Sequence, residues 1–272
     1  MYLHQLWEES NGKGGQDMNY QTPGYLLPLV LSGTLVTLAA VLFGLQRALM
    51  LDRWSIGERR QAVWVTTILL VGWFFAALFL SWTGFYRGAD NQIPTIQYGV
   101  FIPILVGVAL FWRWGAFRRV IDSMPQPWIV GVQLFRAEGV IFLTLYARHG
   151  LPGAFAWPAG VGDVIVGLLA PVVGFAYAYS PTRAAGLLRA WNLLGIGDLI
   201  VAVATGFLTS PSRFQMVALD SPNVLITAFP LAMIPVFLVP LAVLLHLASL
   251  QKLRKSETGP RLSRQLLASD LS

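Results

Sequence analysis

The sequence contains no cysteine, which removes disulfides, thiolate metal sites, iron-sulfur clusters and cysteine nucleophiles at once. Histidine is nearly as scarce: His4, His149 and His246 are the whole supply, so no histidine-rich metal cluster can be assembled. Lysine is limited to Lys13, Lys252 and Lys255, and charged residues of all kinds make up only 12% of the chain, about half the share of an average soluble domain. A secretory leader is not expected, because residues 1 to 24 carry Glu8, Glu9 and Asp17 instead of a basic start and an apolar run. Met18 reads as an alternative start, with Tyr20 to Gly24 leading directly into the first apolar stretch.

What is abundant is apolar side chain: 56% of 272 residues, with ten tryptophans and a mean hydropathy of +0.62. A water-soluble core cannot absorb that much apolar surface, whereas a bilayer selects for it. Seven stretches are long enough to span: 25–46, 62–84, 96–114, 128–146, 155–179, 187–208 and 224–247. Breakers separate them, among them Asp90-Asn91, Pro125, Pro127, Pro152-Gly153, Ser180-Pro181 and Ser210-Pro211. The expected fold class is therefore an all-α integral membrane protein, a bundle of seven transmembrane helices. A polar tail (1–24) precedes the membrane domain (25–250), and a basic tail (251–272) follows it.

Counting Lys and Arg in alternate loops orients the bundle. Arg47, Arg53, Arg59, Arg60, Arg113, Arg118, Arg119, Arg183, Arg189, Lys252, Arg254, Lys255, Arg261 and Arg264 fall on one side, and only Lys13, Arg87, Arg148 and Arg213 on the other. The first set marks the cytoplasm, so the N-terminus is expected outside and the C-terminus inside, in a plasma membrane of bacterial type. The same distribution accounts for the net charge of +6 and the pI near 9.9 without nucleic acid. The partners expected are the bilayer itself and anionic lipid under the tail from Lys252 to Arg264. Oligomeric state and any protein partner are not readable from the residues.

Four ionisable side chains lie deep inside spans: Arg136 and Glu138 in the fourth, Asp163 in the fifth and Asp198 in the sixth. A helical rise of 1.5 Å per residue puts all four about 12 to 15 Å below the outer face. Each charge at that depth costs on the order of 2.5–3.5 kcal/mol on insertion scales, so partners are expected. Arg136 and Glu138 are two residues apart and point different ways, so Arg136 needs an acid from another helix. Gln133 shares its face, one turn toward the cytoplasm. Three acids against one base leave an imbalance that a proton or a cation would correct. A structural salt bridge fastening three helices is the alternative role for the same residues.

The two aspartates sit in a short internal repeat. Gly160-Val161-Gly162-Asp163-Val164-Ile165-Val166 returns as Gly195-Ile196-Gly197-Asp198-Leu199-Ile200-Val201, with Trp157 and Trp191 upstream. Because consecutive spans run in opposite directions, the copies meet the membrane inverted, as in inverted-repeat transporters. Small residues at three and four spacing (Gly160, Gly167, Ala170 and Gly174; Gly195, Ala202 and Gly206) turn both aspartates toward neighbouring helices. The tetrads Gly160–Asp163 and Gly195–Asp198 resemble the GxGD signature of intramembrane aspartyl proteases such as presenilin and prepilin peptidase. That resemblance implies a catalytic pair, Asp163 and Asp198, sharing a proton and activating water. It covers only the tetrads: the seventh stretch offers Pro230-Leu231-Ala232 where a presenilin-type Pro-Ala-Leu would stand.

Microbial rhodopsins need a lysine in the seventh helix, and seven-helix zinc hydrolases of the ceramidase type need a histidine cluster. This chain has neither, and no cofactor or metal is expected. The remaining signals are local. Trp112, Trp114, Trp128 and Trp157 fall at span ends as interfacial anchors. His246 falls in the last turn of the seventh stretch, where an interfacial hydrogen bond is its expected role over a proton relay. Pro230, Pro235 and Pro240 predict kinks in that stretch. The leading functional expectation is a small proton- or cation-linked transporter or channel-like protein using Arg136, Glu138, Asp163, Asp198 and Gln133. An aspartyl hydrolase and a non-catalytic scaffold or sensory subunit stand as alternatives, and enzymatic activity is the less expected outcome.

Overall fold

A computed structural model describes residues 22–52 and 54–269, from residue 258 onward as helix path alone. The segment 1–21 with Lys13 and Met18, the loop residue Arg53, and residues 270–272 lie outside the described residues, as do the side chains of Arg261 and Arg264.

Apolar helices long enough to cross a bilayer account for most of the chain, and among the described residues there is no strand. The first three spans are α1 (Leu26–Leu51), α2 (Ile56–Trp82) and α3 (Ile96–Arg113). A short helix, α4 (Gly115–Ser123), precedes the fourth span, which is broken into α5 (Gln126–Gly131), a 3-10 segment (Val132–Gly139) and α6 (Val140–Ala147). The fifth and sixth spans are α7 (Gly153–Tyr179) and α8 (Pro181–Thr209). The seventh opens with a π-helical turn (Ile234–Leu238) and continues as α9 (Val239–Ser269). Local sequence explains several starts. Ser55 and Glu58 form a reciprocal capping box on α2, and α8 begins at Pro181, whose missing N–H costs nothing in a first turn.

Loop contacts divide the molecule into two faces. On one, Asp122 in the last turn of α4 accepts from Lys255 Nζ at 2.5 Å, Arg189 pairs with Glu257 at 2.6 Å, and Ser123 Oγ donates to Asp52 at 2.6 Å. This is the basic face. On the other, Arg213 N donates to Gln92 O at 3.0 Å, Gly88 N donates to Thr227 Oγ1 at 3.1 Å, and the Arg148 guanidinium lies over the Tyr25 ring at 5.1 Å. Seven spans connected in sequence produce this alternation.

The site is positioned by the packing of the fourth span on α7. The two backbones come so close that a Cβ on Gly167 would stand 2.4 Å from Ala137 N, and one on Gly174 would stand 3.1 Å from Pro127 O. From the fourth span's side of this contact, a Cβ on Gly139 would meet Asp163 Cβ at 2.6 Å. Small residues permit such an approach where lipid supplies no hydrophobic drive between helices.

The seventh span is displaced by ten residues from the sequence expectation: it runs Ile234–Glu257 instead of 224–247. Residues 224–232 are largely apolar but not α-helical; Leu225, Ile226, Leu231 and Ala232, with Met233 at the start of the helix, are buried as a plug between helices. Pro230 and Pro235 withhold the N–H groups a helix would need there. The plug's side chains are buried in protein, the condition under which non-helical backbone is tolerated next to a bilayer. Trp112 and Trp157 are exposed as interfacial anchors would be, but Trp128 packs into the bundle against Phe43 and the vacant side of Gly44.

Candidate functional site

Arg136 owes its inward direction to the 3-10 segment. At three residues per turn, side chains three apart eclipse, so Gln133, Arg136 and Gly139 stack on one face, and all three are buried. Glu138 falls on a different face and turns toward α1, where Gly33 leaves the space its carboxylate fills: a Cβ there would stand 2.0 Å from Glu138 Oε1.

Arg136 is 3% exposed, and its guanidinium joins three other spans. Nε donates to Asp163 Oδ1 of α7 at 2.7 Å, and Nη2 donates to Asp198 Oδ2 of α8. Nη1 donates to the Gly195 carbonyl at 3.3 Å and to His246 Nε2 of α9 at 3.0 Å. Since Arg136 can only donate, Nε2 of His246 must accept, which places the ring proton on Nδ1 and keeps the imidazole neutral. Nδ1 then donates to Asn192 Oδ1 at 2.9 Å. Asn192 Nδ2 donates to Ser249 Oγ at 2.9 Å, and Gln126 Nε2 donates to the same oxygen at 2.7 Å. An unbroken line of buried side chains thus runs from the cluster toward the basic face.

The repeated glycines make the room. A Cβ on Gly162 would lie 1.6 Å from Asp198 Oδ1, and one on Gly195 would lie 2.3 Å from the His246 ring. The tryptophans diverge: Trp191 is buried, donates to Val166 O at 3.1 Å and packs on His246 at 4.8 Å, whereas Trp157 is exposed.

Several polar atoms in this network are unsatisfied. Both amide atoms of Gln133, Oε2 of Glu138 and Oε1 of Gln126 are buried without a hydrogen-bond partner. A cavity of about 50 Å³, walled mainly by apolar side chains such as Val100, Phe142 and Phe155, borders Asp163 and also Gly88, Ser210 and Pro211 of the face opposite the basic one. A second, of about 20 Å³, touches Arg136, Glu138 and Asp163 together. Each has at least the volume one water needs.

Of the residues singled out from sequence, Arg136, Asp163 and Asp198 come into direct contact, Glu138 adjoins them across the small cavity, and Gln133 stacks one turn away without bonding to any of them. His246, Asn192, Ser249 and Gln126 are additions. His246 is fully buried on Arg136, not interfacial, because the displaced seventh span carries it to mid-membrane. The pattern Asn192-x2-Gly195 facing His246-x2-Ser249 was the available signal.

Seven apolar helices around a buried arginine, two aspartates and a neutral histidine define a polytopic helical membrane protein. Its family is the one described as Domain of unknown function (DUF8737), whose model matches residues 93–254, and the chain belongs to it. No curated protein and no solved structure matches the chain. The matched region holds every member of the Arg136 cluster and leaves out α1 and α2.

Proposed function

We propose that this protein is a small proton- or cation-linked transporter or channel-like protein of a bacterial plasma membrane, working through Arg136, Glu138, Asp163, Asp198 and Gln133. The N-terminus lies outside and the basic face meets the anionic inner leaflet, in keeping with the loop charges. The observation that carries the reading is the cavity bordering both Asp163 and residues of the face opposite the basic one. A cluster that served only as a fastener would be sealed and fully paired, whereas this one adjoins a cavity and keeps unpaired buried atoms on Glu138 and Gln133. Three acids facing one arginine also leave an anionic excess suited to a mobile positive charge. Toward the basic face the path is closed by the His246, Asn192 and Ser249 line, so access from one side at a time is the natural mode.

An aspartyl hydrolase is the weaker reading. A dyad of that type shares one proton between adjacent carboxylates, and here the Arg136 guanidinium stands between Asp163 and Asp198. The test is proton and cation flux in proteoliposomes. Native protein is expected to conduct or exchange, and Asp163→Asn, folded by the same thermal criterion, to lose most of that flux. A native protein without flux, with Asp163→Asn and Asp198→Asn both severely destabilised, would return the cluster to a structural role.

A further inference from the structure

Glu138 stands apart from the ion-paired cluster and opens on a different space. Between α1 and the fourth span lies a groove of about 620 Å³, lined mainly by apolar side chains, with Glu138 in its wall. Its rim residues Val36, Leu134 and Val140 are exposed, and in a bilayer that exposure is to lipid. Glu138 lies near the middle of the Gln126–Ala147 span, so the groove is reached sideways, from the hydrocarbon. No described cation pairs with Glu138, and its Oε2 is buried without a hydrogen-bond partner. Two aromatic rings, Trp128 and Phe135, line the same groove.

We propose that this groove binds an amphiphilic organic cation, a compact apolar body bearing a quaternary or protonated centre, with Glu138 as its counter-ion. The proposal deepens the transport reading by naming a substrate class, and it rests on that reading for the fate of the bound cation. Charge and shape select the occupant together. A lipid acyl chain would fill the apolar walls but leave the carboxylate unmatched, an anionic lipid would be repelled by it, and an inorganic cation does not partition into hydrocarbon. A lipophilic cation satisfies both, placing its charge against Glu138 and beside Phe135, which stands one 3-10 turn away on the same face, while its apolar body extends along the groove toward Trp128; cation–π attraction to such a ring is strongest when water is excluded. The volume is in the range of small-molecule sites, about 300–1,000 Å³. Glu138 also touches the water-sized cavity shared with Arg136 and Asp163, so a ligand held in the groove acts on the cluster through a single carboxyl group.

The experiment is equilibrium binding of tetraphenylphosphonium to the full-length protein purified in a neutral detergent. Saturable binding is expected, weakened at least tenfold by Glu138→Gln and restored in part by Glu138→Asp. Val36→Trp, at a lipid-exposed position on the rim, fills the groove without entering the core and is expected to weaken binding to a similar degree, so the proposal stays testable if Glu138→Gln fails to fold. Absence of saturable binding to the native protein, or equal affinity in a folded Glu138→Gln or Val36→Trp variant, overturns the proposal. Flux that depends on Asp163 without any phosphonium binding removes the groove and leaves the transport reading standing. Glu138-dependent binding without flux does the reverse.

Discussion

Arg136 makes four hydrogen bonds to three other spans, and the consequences of removing it differ from those of neutralising its partners. Arg136→Leu strands Asp163 and Asp198 in a site that is buried on every protein side. Breaking a buried pair from one partner costs about 3–5 kcal/mol, whereas replacing the whole set with neutral groups is often tolerated. The single variant should therefore unfold at much lower temperature or denaturant than native protein. Adding Asp163→Asn and Asp198→Asn to it should recover part of the loss, as read by thermal unfolding in one detergent. A triple variant no more stable than Arg136→Leu alone would mean that the aspartates do not depend on the arginine for charge compensation. The four charged members of this site were legible in sequence because charge is so rare inside spans. Asn192, Ser249 and Gln126 were not, since neutral polar side chains carry little insertion cost and do not stand out.

The repeated Gly-x-Gly-Asp elements look equivalent in sequence and are not equivalent in packing. Gly162 and Gly195 face the cluster, where a methyl group would displace the Asp198 carboxylate or the His246 ring, while nothing lies within 4 Å of a Cβ built on Gly197. Gly197→Ala is thus expected to change stability by less than about 1 kcal/mol, in the direction of helix propensity. Gly162→Ala and Gly195→Ala should each cost about 1–3 kcal/mol by overpacking. Thermal unfolding of the three alanine variants checks this, and equal effects at Gly197 and Gly195 would contradict the register of α8 against α9. The repeat could be seen in the residues, but which glycine meets which side chain depends on the pairing of helices 35 positions apart. The fourth span hid its 3-10 segment for a related reason: Val132–Gly139 gains nothing locally from the tighter winding, and what favours it is the contact with α7 at Gly167 and Gly139. Likewise, an apolar run at 224–232 reads as helix until the plug it forms is seen between its neighbours.

At the scale of the whole molecule, the two-faced arrangement was the most legible feature, because loop charge is set by how the chain inserts and owes little to side-chain packing. The contacts of Asp122 with Lys255 and of Arg189 with Glu257 gather one set of loops, and the contact of Arg213 with Gln92 gathers the other. Which of these faces the cytoplasm is decided by insertion, and the absence of cysteine makes the measurement clean. A single thiol introduced as Asp220→Cys, on the loop between α8 and the seventh span, and another as Thr182→Cys, at the start of α8, sit on opposite faces at exposed positions. With intact cells and a membrane-impermeant maleimide, Asp220→Cys is expected to label and Thr182→Cys to label only after the membrane is opened. The opposite pattern would put the basic face outside and the loops of Gly88, Ser210 and Pro211, which border the cavity beside Asp163, in the cytoplasm; the positive-inside reading of the loop charges would then be overturned.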